Sequence, residues 1–336
     1  MPALVSKVAN REVIVKAIHV DGQQLAWRDA ADPAPARGEI LIDNRATAIN
    51  RADLVQRSGG YPPPKGASPT LGLECAGTVA ALGAGVSSFK VGDRVCALLA
   101  GGGYAERVAV PAGQALPIPK GFDFAQAAAL PEVWATAYLN LFGEARLQRG
   151  ERVLLHAGAS GVGTAAIQLC KLHESPCYVT AGGAEKIARC VALGARGGAD
   201  RHGKSFADSI AEWTGGNGFD VILDPVGGSY LKDNLRGLAI DGRLVIIGLM
   251  GGTTAEIELG LMMVKRLRVI GSTLRARSIA AKAAVMDGLK RDVWPHLESG
   301  AVAPIIDATI PIEEAERAHA LVASNETFGK VVLSIR

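Results

Sequence analysis

The chain has 336 residues; 49% of them are hydrophobic, 21% are charged, and the formal net charge is +3. These values are typical of a soluble globular protein of roughly two domains, and they exclude a disordered chain or a strongly basic nucleic-acid-binding protein. No apolar run approaches the roughly 20 residues that span a bilayer, and the N-terminal sequence MPALVSKVANREVIVK has no signal-peptide pattern. Five cysteines without a CxxC pair argue against a disulfide framework or a zinc knuckle. We therefore expect a cytoplasmic protein without a membrane or nucleic-acid partner.

The N-terminal part of the chain alternates short strands with turn residues. Strands are predicted over residues 39–46, 73–82 and 93–98, with Gly, Pro, Ser and Asp between them. Since crossover helices are missing from this pattern, it predicts a partly open, mainly β barrel. The apolar period becomes helical over residues 125–142, which indicates a domain boundary near residue 130.

From residue 152 onward, strands and helices alternate. Six strands are predicted, over residues 152–156, 177–181, 197–201, 219–224, 243–248 and 267–274. Apolar strands bounded by helices favour a parallel sheet covered on both faces, so we predict an α/β fold with a doubly wound, six-stranded Rossmann sheet over residues 131–274. Residues 275–336 are expected to rejoin residues 1–130 in the first domain. They are read as a helix over 279–298, a strand over 305–310, a helix over 312–323 and a strand over 329–335.

The stretch from residue 152 to residue 172, RVLLHAGASGVGTAAIQLCKL, predicts a strand, a turn of small residues and a helix. Small residues let the backbone approach a ligand, and the N–H groups of a first helical turn favour a phosphate. A dinucleotide is the expected occupant. A turn that only packs the helix on the sheet is the alternative, and Ser160 breaks the strict G-x-G-x-x-G fingerprint.

The end of the second Rossmann strand decides which dinucleotide is favoured. An acidic residue there binds the ribose hydroxyls of NAD, whereas this strand ends in Ala181-Gly182-Gly183. Lys186 follows in the first turn of the next helix, where it can meet a phosphate, so the sequence favours NADPH. The alternative is that Lys186 is a solvated helix residue beside Glu185.

Several blocks along the chain resemble the medium-chain dehydrogenase/reductase superfamily, and within it the zinc-independent quinone oxidoreductases. The resemblance runs from residue 16 to residue 335 and is closest to the branch of the tumour-suppressor-induced quinone reductase, with zeta-crystallin more distant. It implies that the first domain is GroES-like. The blocks that carry it are NRAD with QRSGGYPPP after it, LGLECAG, KVGDRV, AALPEVWATAYLNL, HAGASGVGTAAIQL, LDPVGGSY and DGRLVIIGLMGG.

The same resemblance implies that no metal is held. Zinc enzymes of the superfamily place Cys, His and Cys where this chain has Asn50, Leu73 and Glu132. Leucine cannot ligate a metal and asparagine is a poor zinc ligand. The chemistry is therefore expected to be reduction of an electrophilic acceptor, with the cofactor carrying the hydride in a cleft between the domains.

The resemblance also assigns site residues. It places Asn50 and Tyr61 on the substrate side of the cleft, and Thr136 and the turn at residues 247–250 beside the nicotinamide. The full set of predicted cofactor-binding residues is Ser160, Gly161, Val162, Gly163, Gly183, Lys186, Gly248, Leu249, Met250 and Arg275.

Each assignment has a structural alternative. Tyr61 can pack on the prolines that follow it, the apolar turn at residues 247–250 can belong to the core, and Arg275 and Arg277 can be solvated. His156 is read as a satisfied core histidine. The proton donor is left open between solvent, the Tyr61 hydroxyl and the cofactor ribose.

The sequence therefore predicts an NADPH-dependent quinone oxidoreductase that works without a metal. One alternative is an NADPH-dependent reductase of enone, alkenal or enoyl double bonds; another is an NADPH-binding structural or RNA-binding protein like zeta-crystallin. The resemblance implies a homodimer, or a higher oligomer, through the edge strand at residues 267–274.

Overall fold

The computed structural model describes residues 14–22 and 24–336. The expectation about a signal peptide rests mainly on residues 1–13, which lie outside this range. Within the described range, no helix is both long enough and apolar enough to cross a membrane.

Fifteen strands and eleven α-helices follow one another in the described part of the chain. The strands are β1 (Ile14–Asp21), β2 (Gln24–Ala31), β3 (Glu39–Ala48), β4 (Glu74–Leu82), β5 (Arg94–Leu98), β6 (Arg107–Pro111), β7 (Ala115–Pro117), β8 (Val153–Leu155), β9 (Cys177–Ala181), β10 (Gly197–Asp200), β11 (Phe219–Asp224), β12 (Leu238–Ile246), β13 (Arg268–Gly271), β14 (Ile306–Pro311) and β15 (Lys330–Ser334). The helices are α1 (Arg51–Arg57), α2 (Phe124–Ala128), α3 (Pro131–Tyr138), α4 (Gly161–Leu172), α5 (Ala184–Leu193), α6 (Ala207–Thr214), α7 (Leu231–Gly237), α8 (Leu259–Lys265), α9 (Ile279–Asp292), α10 (Trp294–Glu298) and α11 (Ala315–Ala323).

The first domain is built on a seven-stranded sheet with the order β14-β15-β3-β4-β5-β7, and β6 pairs with β3. The pairs β15–β3, β3–β4 and β4–β5 are antiparallel, which agrees with the predicted barrel. Strands β14 and β15, near the C-terminal end of the described chain, lie in this same sheet. The β1–β2 hairpin and strands β6 and β7 were not predicted from the sequence.

The second sheet has the strand order β10-β9-β8-β11-β12-β13, and all of its pairs are parallel. This is the order of a doubly wound dinucleotide-binding sheet, so the predicted α/β fold is confirmed. Strand β8, at the point where the order reverses, is buried along its whole length. The predicted fifth strand begins too late: β12 starts at Leu238, which pairs with Phe219, and extra residues of β12 follow before Arg243 pairs with Val221.

Two predicted helices are interrupted. The helix expected over residues 279–298 is split at Val293 into α9 and α10, because Pro295 cannot donate a backbone hydrogen bond to the preceding turn. The helical region over 125–142 breaks at Pro131 into α2 and α3. It then ends in a π-helical turn, Leu139–Glu144, for which we find no sequence signal.

Helix α3 lies where the two domains meet. It contacts β4 and β5 of the first sheet as well as α4 and α9. Val133 and Trp134 are buried in a core cluster that draws residues from both domains. The first turn of α3 is therefore held between the barrel and the Rossmann sheet, and this position determines the surroundings of the candidate site. The exact boundary at residue 130 stays a prediction.

Candidate active site at the domain junction

The predicted phosphate turn joins β8 to α4. Ser160 caps the helix, because its Oγ accepts a hydrogen bond of 3.0 Å from the Gly163 backbone N–H. A Cβ on Gly163 would lie 2.5 Å from the Ala157 carbonyl oxygen, so only glycine allows this close turn. Ala157 itself has a φ of 53°, a left-handed conformation that costs free energy in a residue with a Cβ.

This turn is attached to the last strand of the barrel. The Gly329 N–H donates a hydrogen bond of 2.8 Å to the Ala159 carbonyl. A Cβ on Gly161 would lie 2.6 Å from Cδ of Lys330 and 3.0 Å from Cγ1 of Val133. The predicted pyrophosphate residues Ser160, Gly161, Val162 and Gly163 are therefore at the domain junction.

A buried ion pair lies directly beside the turn. The Lys330 ammonium is 2.7 Å from Glu74 Oε1, and both side chains are almost completely buried, with exposed fractions of 3% and 0%. Lys330 also donates to the Ile49 carbonyl at 2.7 Å and to Asn50 Oδ1 at 2.8 Å. An ammonium group has three N–H donors, so all of them have acceptors.

The Asn50 side chain is equally well satisfied. Its amide donates to Glu74 Oε1 at 2.9 Å and to the Ala48 carbonyl at 3.2 Å, while its Oδ1 accepts from Lys330. Asn50 stands at the position where the superfamily's zinc enzymes have a cysteine, and here it is part of the hydrogen-bond network of Lys330 and Glu74. Leu73, in the place of the histidine, is buried and offers no ligand atom. This donor set does not fit a catalytic zinc ion.

A second buried network supports α1. Asp53 accepts hydrogen bonds from the N–H groups of Asn50 at 2.8 Å and Gly72 at 3.0 Å, and its Oδ2 lies 3.4 Å from the Tyr104 hydroxyl. Burial raises the pKa of Asp53 to about 6, although the two backbone N–H groups oppose this shift. His319, 3.1 Å from the same hydroxyl, has a pKa lowered by burial to about 4. It is therefore neutral at physiological pH.

Glu132 lies in the first turn of α3, next to Glu74. Its backbone N–H donates to Glu74 Oε2 at 2.9 Å, whereas its own Oε2 is buried without a partner among the described residues. Burial, followed by repulsion from Glu74, raises the pKa of Glu132 to about 8. Thr136 lies four residues later on the same face of α3.

The structure brings Tyr61 and Arg275 into contact. The Arg275 guanidinium carbon lies 5.2 Å from the centroid of the Tyr61 ring, and Nη1 donates to the Tyr61 carbonyl at 3.2 Å. Arg275 is buried, and its Nε donates to the Ala100 carbonyl at 2.7 Å. Arg277 forms an ion pair of 2.5 Å with Glu144, so it is not a solvated loop residue.

At the end of β9, Gly183 caps α5 with a φ of 86°, and its N–H donates to Asp200 Oδ1 at 3.0 Å. The Lys186 ammonium donates to the Asn325 carbonyl at 2.6 Å. Arg51 donates to the side chain of the same Asn325, also at 2.6 Å. Lys186 and Arg51 therefore place two positive charges near this strand end.

Arg201 adds a third positive charge, which sequence reasoning missed. It follows β10, and its Nε lies 3.1 Å from the position that a Cβ on Gly182 would take. Within the described range, its guanidinium has no hydrogen-bond or ion-pair partner. Burial and then repulsion from Arg201 lower the pKa of Arg51, which indicates that the two guanidinium groups are close. Such a cluster is suited to a phosphate.

The remaining predicted residues lie at the same edge of the sheet. Gly248 follows β12, and a Cβ on it would lie 2.7 Å from the Pro225 carbonyl oxygen. Leu249 and Met250 are about half exposed, so they are not core residues.

His156 is hydrogen-bonded to the side chains of Thr180 and Asn234, and burial lowers its pKa to about 4, which agrees with a structural role.

The comparisons with known proteins agree with this geometry. Residues 36–120 match the alcohol dehydrogenase GroES-like domain, and residues 161–288 match the zinc-binding dehydrogenase domain. The chain is 33% identical over 307 residues to the quinone oxidoreductase of Rattus norvegicus, covering 91% of this chain and 92% of that protein.

Two solved structures are also similar. A mycobacterial protein solved in complex with NADPH has a TM-score of 0.85 and 28% identity, covering 96% of this chain and 100% of its own. The CurK enoyl reductase has a TM-score of 0.84 and 26% identity, covering 96% and 99%. The fold and the site define an oxidoreductase with a Rossmann cofactor domain, and the chain belongs to the medium-chain dehydrogenase/reductase superfamily.

The buried ion pair leads to a prediction about stability. Lys330→Met leaves the Glu74 carboxylate buried without its counter-charge, so we expect the free energy of unfolding to fall by about 3 kcal/mol or more. Adding Glu74→Gln should restore part of this loss, because the uncompensated charge is then removed. Urea unfolding measures both effects. The exposed Lys204→Met is the control, and an equal effect of the two lysine variants would contradict the assignment.

Proposed function

We propose that this protein is an NADPH-dependent quinone reductase that works without a metal ion. One observation carries the proposal. The turn predicted to bind a dinucleotide lies beside a site in which the Lys330 ammonium already contacts Asn50 Oδ1 and Glu74 Oε1, so these oxygens are not available to a metal ion. The redox chemistry is therefore expected to come from the cofactor. The similarity to a quinone oxidoreductase supports the choice of substrate class.

The residues present fit NADPH. The first-turn N–H groups of α4 would hold the pyrophosphate, and Arg201, with Lys186 and Arg51, would surround a 2′-phosphate. The exposed Leu249 and Met250 would cover the nicotinamide. When bound, NADPH supplies a hydride by breaking the nicotinamide C–H bond, which leaves a negative charge on the reduced substrate.

The protein's own part is orientation and exclusion of water. Tyr61 presents a ring whose position is held by Arg275, so a planar quinone has a rigid face to stack on. The Asn50 side chain is held by three hydrogen-bond partners. That it lines the substrate side of the cleft stays a prediction. Such fixed side chains lower the cost of orienting the two reactants.

We expect the purified protein to consume NADPH with simple quinones when a metal chelator is present. Gly163→Ala should abolish this activity, because its Cβ would collide with the Ala157 carbonyl. Gly260→Ala is the control, since nothing lies within 4 Å of its Cβ. Inactivity of the wild-type protein across a broad quinone panel would overturn the substrate class, and NADPH binding without turnover would favour a non-enzymatic role.

A second candidate function is reduction of an activated carbon–carbon double bond. The similarity to the CurK enoyl reductase favours it, and the same hydride donor would serve. Steady-state rates on matched quinones and enones separate the two reactions. A higher kcat/KM for the enone series would make this the principal activity.

The preference for NADPH is also testable. Arg201→Ala removes the guanidinium group that has no partner within the described residues, and a charge-assisted hydrogen bond contributes about 1.5–3 kcal/mol. We therefore expect KM for NADPH to rise about tenfold to a hundredfold while KM for NADH stays unchanged. Lys204→Ala is the control. An equal rise for both cofactors would show that Arg201 supports the fold instead.

We further propose that the protein is a homodimer in which two copies of β13 meet. Strand β13 is the last strand in its sheet, and within the described range its outer edge has no partner. Beside it, α8 exposes Met263 and Val264 to 78% and 77%. Pairing of open edges and burial of apolar patches both favour association with a second copy.

Light scattering tests this assembly. The wild-type protein should have the mass of a dimer, and Met263→Glu with Val264→Glu should yield a monomer, because the interface would bury two charges. Val91→Glu on the barrel is the control, since Val91 is also exposed, at 62%. A monomeric wild-type protein, or a dimer that resists the double substitution, would contradict this interface.

A further inference from the structure

The proposed reduction needs a proton as well as a hydride. Adding a hydride to a quinone or an enone leaves an anion on oxygen, and a group in the cleft can protonate it faster than bulk water. Most acidic groups at the junction are already engaged. Asp53 accepts from two backbone N–H groups, and Glu74 accepts from Lys330, Asn50 and the backbone of Glu132.

Glu132 differs from these two carboxyl groups. Its Oε2 is buried and has no hydrogen-bond partner in the part of the chain that the structure describes. The residue is in the first turn of α3, and its backbone is fixed by the 2.9 Å hydrogen bond to Glu74 Oε2. A buried carboxyl oxygen without a donor is unfavourable as an anion, so the protonated acid is the form that this position accepts.

Six titratable groups from other segments of the chain surround Glu132. Two of the groups are carboxyl groups that favour the protonated form, three are cations that favour the carboxylate, and one is a phenol. These groups are Asp53 of α1, Glu74 of β4, Arg275 after β13, Lys282 of α9, Lys330 of β15 and Tyr61 of the loop after α1. Lys330 already neutralises Glu74, so it compensates Glu132 only in part.

Arg275 and Lys282 are the two cations near Glu132 that have no carboxylate partner of their own among the described residues. Both are almost fully buried, and neither forms an ion pair within the described residues. Lys282 reaches only the Arg275 carbonyl, at 3.4 Å, and Nη2 of Arg275 has no partner there. These two cations therefore stabilise the Glu132 carboxylate once it has formed, so the acid can both hold its proton and release it.

We propose that Glu132 is the proton donor of this site. The inference rests on the proposed reductase function. With the hydride coming from the bound cofactor, the O–H bond of the partly exposed Glu132 carboxyl group would break, and the proton would form a new O–H bond on the reduced substrate oxygen, or a C–H bond at the α-carbon of an enone. The Glu132 carboxylate then takes up a proton from solvent, so each turnover consumes one proton and one hydride.

Tyr61 is the competing donor. Burial raises its pKa above the usual range for a phenol, and the charge of Glu132 raises it further. The pKa of Glu132, about 8, is close to physiological pH, which is where a general acid works best. Glu132 is therefore the better donor of the two.

The variant Glu132→Gln keeps the shape of the side chain but carries no acidic proton. We expect its kcat to be about a hundredfold lower than that of the wild-type protein. Because the wild-type protein needs the acid form, its kcat should fall as pH rises through about 8, and the variant should lose this dependence. Glu132→Asp should keep the alkaline fall with an intermediate kcat, and the exposed Glu313→Gln should behave as wild type.

An infrared titration provides a readout that does not depend on turnover. The difference spectrum between the wild-type protein and Glu132→Gln should show the carbonyl band of a protonated carboxylic acid at neutral pH, and the band should disappear as pH rises through about 8. Absence of this band at neutral pH, or a Glu132→Gln variant with wild-type kcat and pH profile, would overturn the proposal. If no quinone or enone is reduced, the proposed function fails, and the infrared titration alone decides whether Glu132 holds a proton.

Discussion

The buried contact between Lys330 and Glu74 connects the two domains and the cofactor turn. An ammonium group in an apolar interior is stable only when each of its donors has an acceptor, and here Ile49, Asn50 and Glu74 provide all three. The aliphatic part of the Lys330 side chain passes over Gly161, and a Cβ at Gly161 would lie only 2.6 Å from Lys330 Cδ. Glycine at position 161 therefore lets the phosphate turn pack directly against this side chain, which is fixed on the barrel.

The same contact explains how a site of this superfamily is organised without metal ligands. In a zinc site, the ion gathers side chains from distant segments and fixes their orientation. In this chain the ammonium of Lys330 gathers Asn50 and Glu74, and Glu74 in turn holds the backbone of Glu132. An ammonium cannot act as an open coordination site, so it orients the surrounding groups, and in the proposed reaction hydride transfer would be left to the cofactor.

Local patterns predicted most of the fold, because the apolar alternation of strands and the spacing of helices are properties of neighbouring residues. The six strands of the Rossmann sheet and the Gly161 turn were found in this way. Lys330 and Glu74 were missed because they are far apart in the chain, and only folding brings them within 2.7 Å. A lysine inside the apolar strand KVVLS was the one available signal, since a buried charge needs a partner. Arg201 was missed for the same reason: it follows β10, whereas Gly182, which it lies beside, follows β9.

The junction separates groups that hold the structure from groups that are free to react. Asp53 and Glu74 make their hydrogen bonds to the protein, so a change of protonation there would disturb the fold. Glu132 is attached through its backbone, and a proton on its carboxyl group can come and go without breaking any of those bonds. Two buried cations without ion-pair partners in the described chain, Arg275 and Lys282, limit the electrostatic cost of losing that proton. A nearly balanced set of buried charges thus lets a side chain change its protonation state inside a rigid frame.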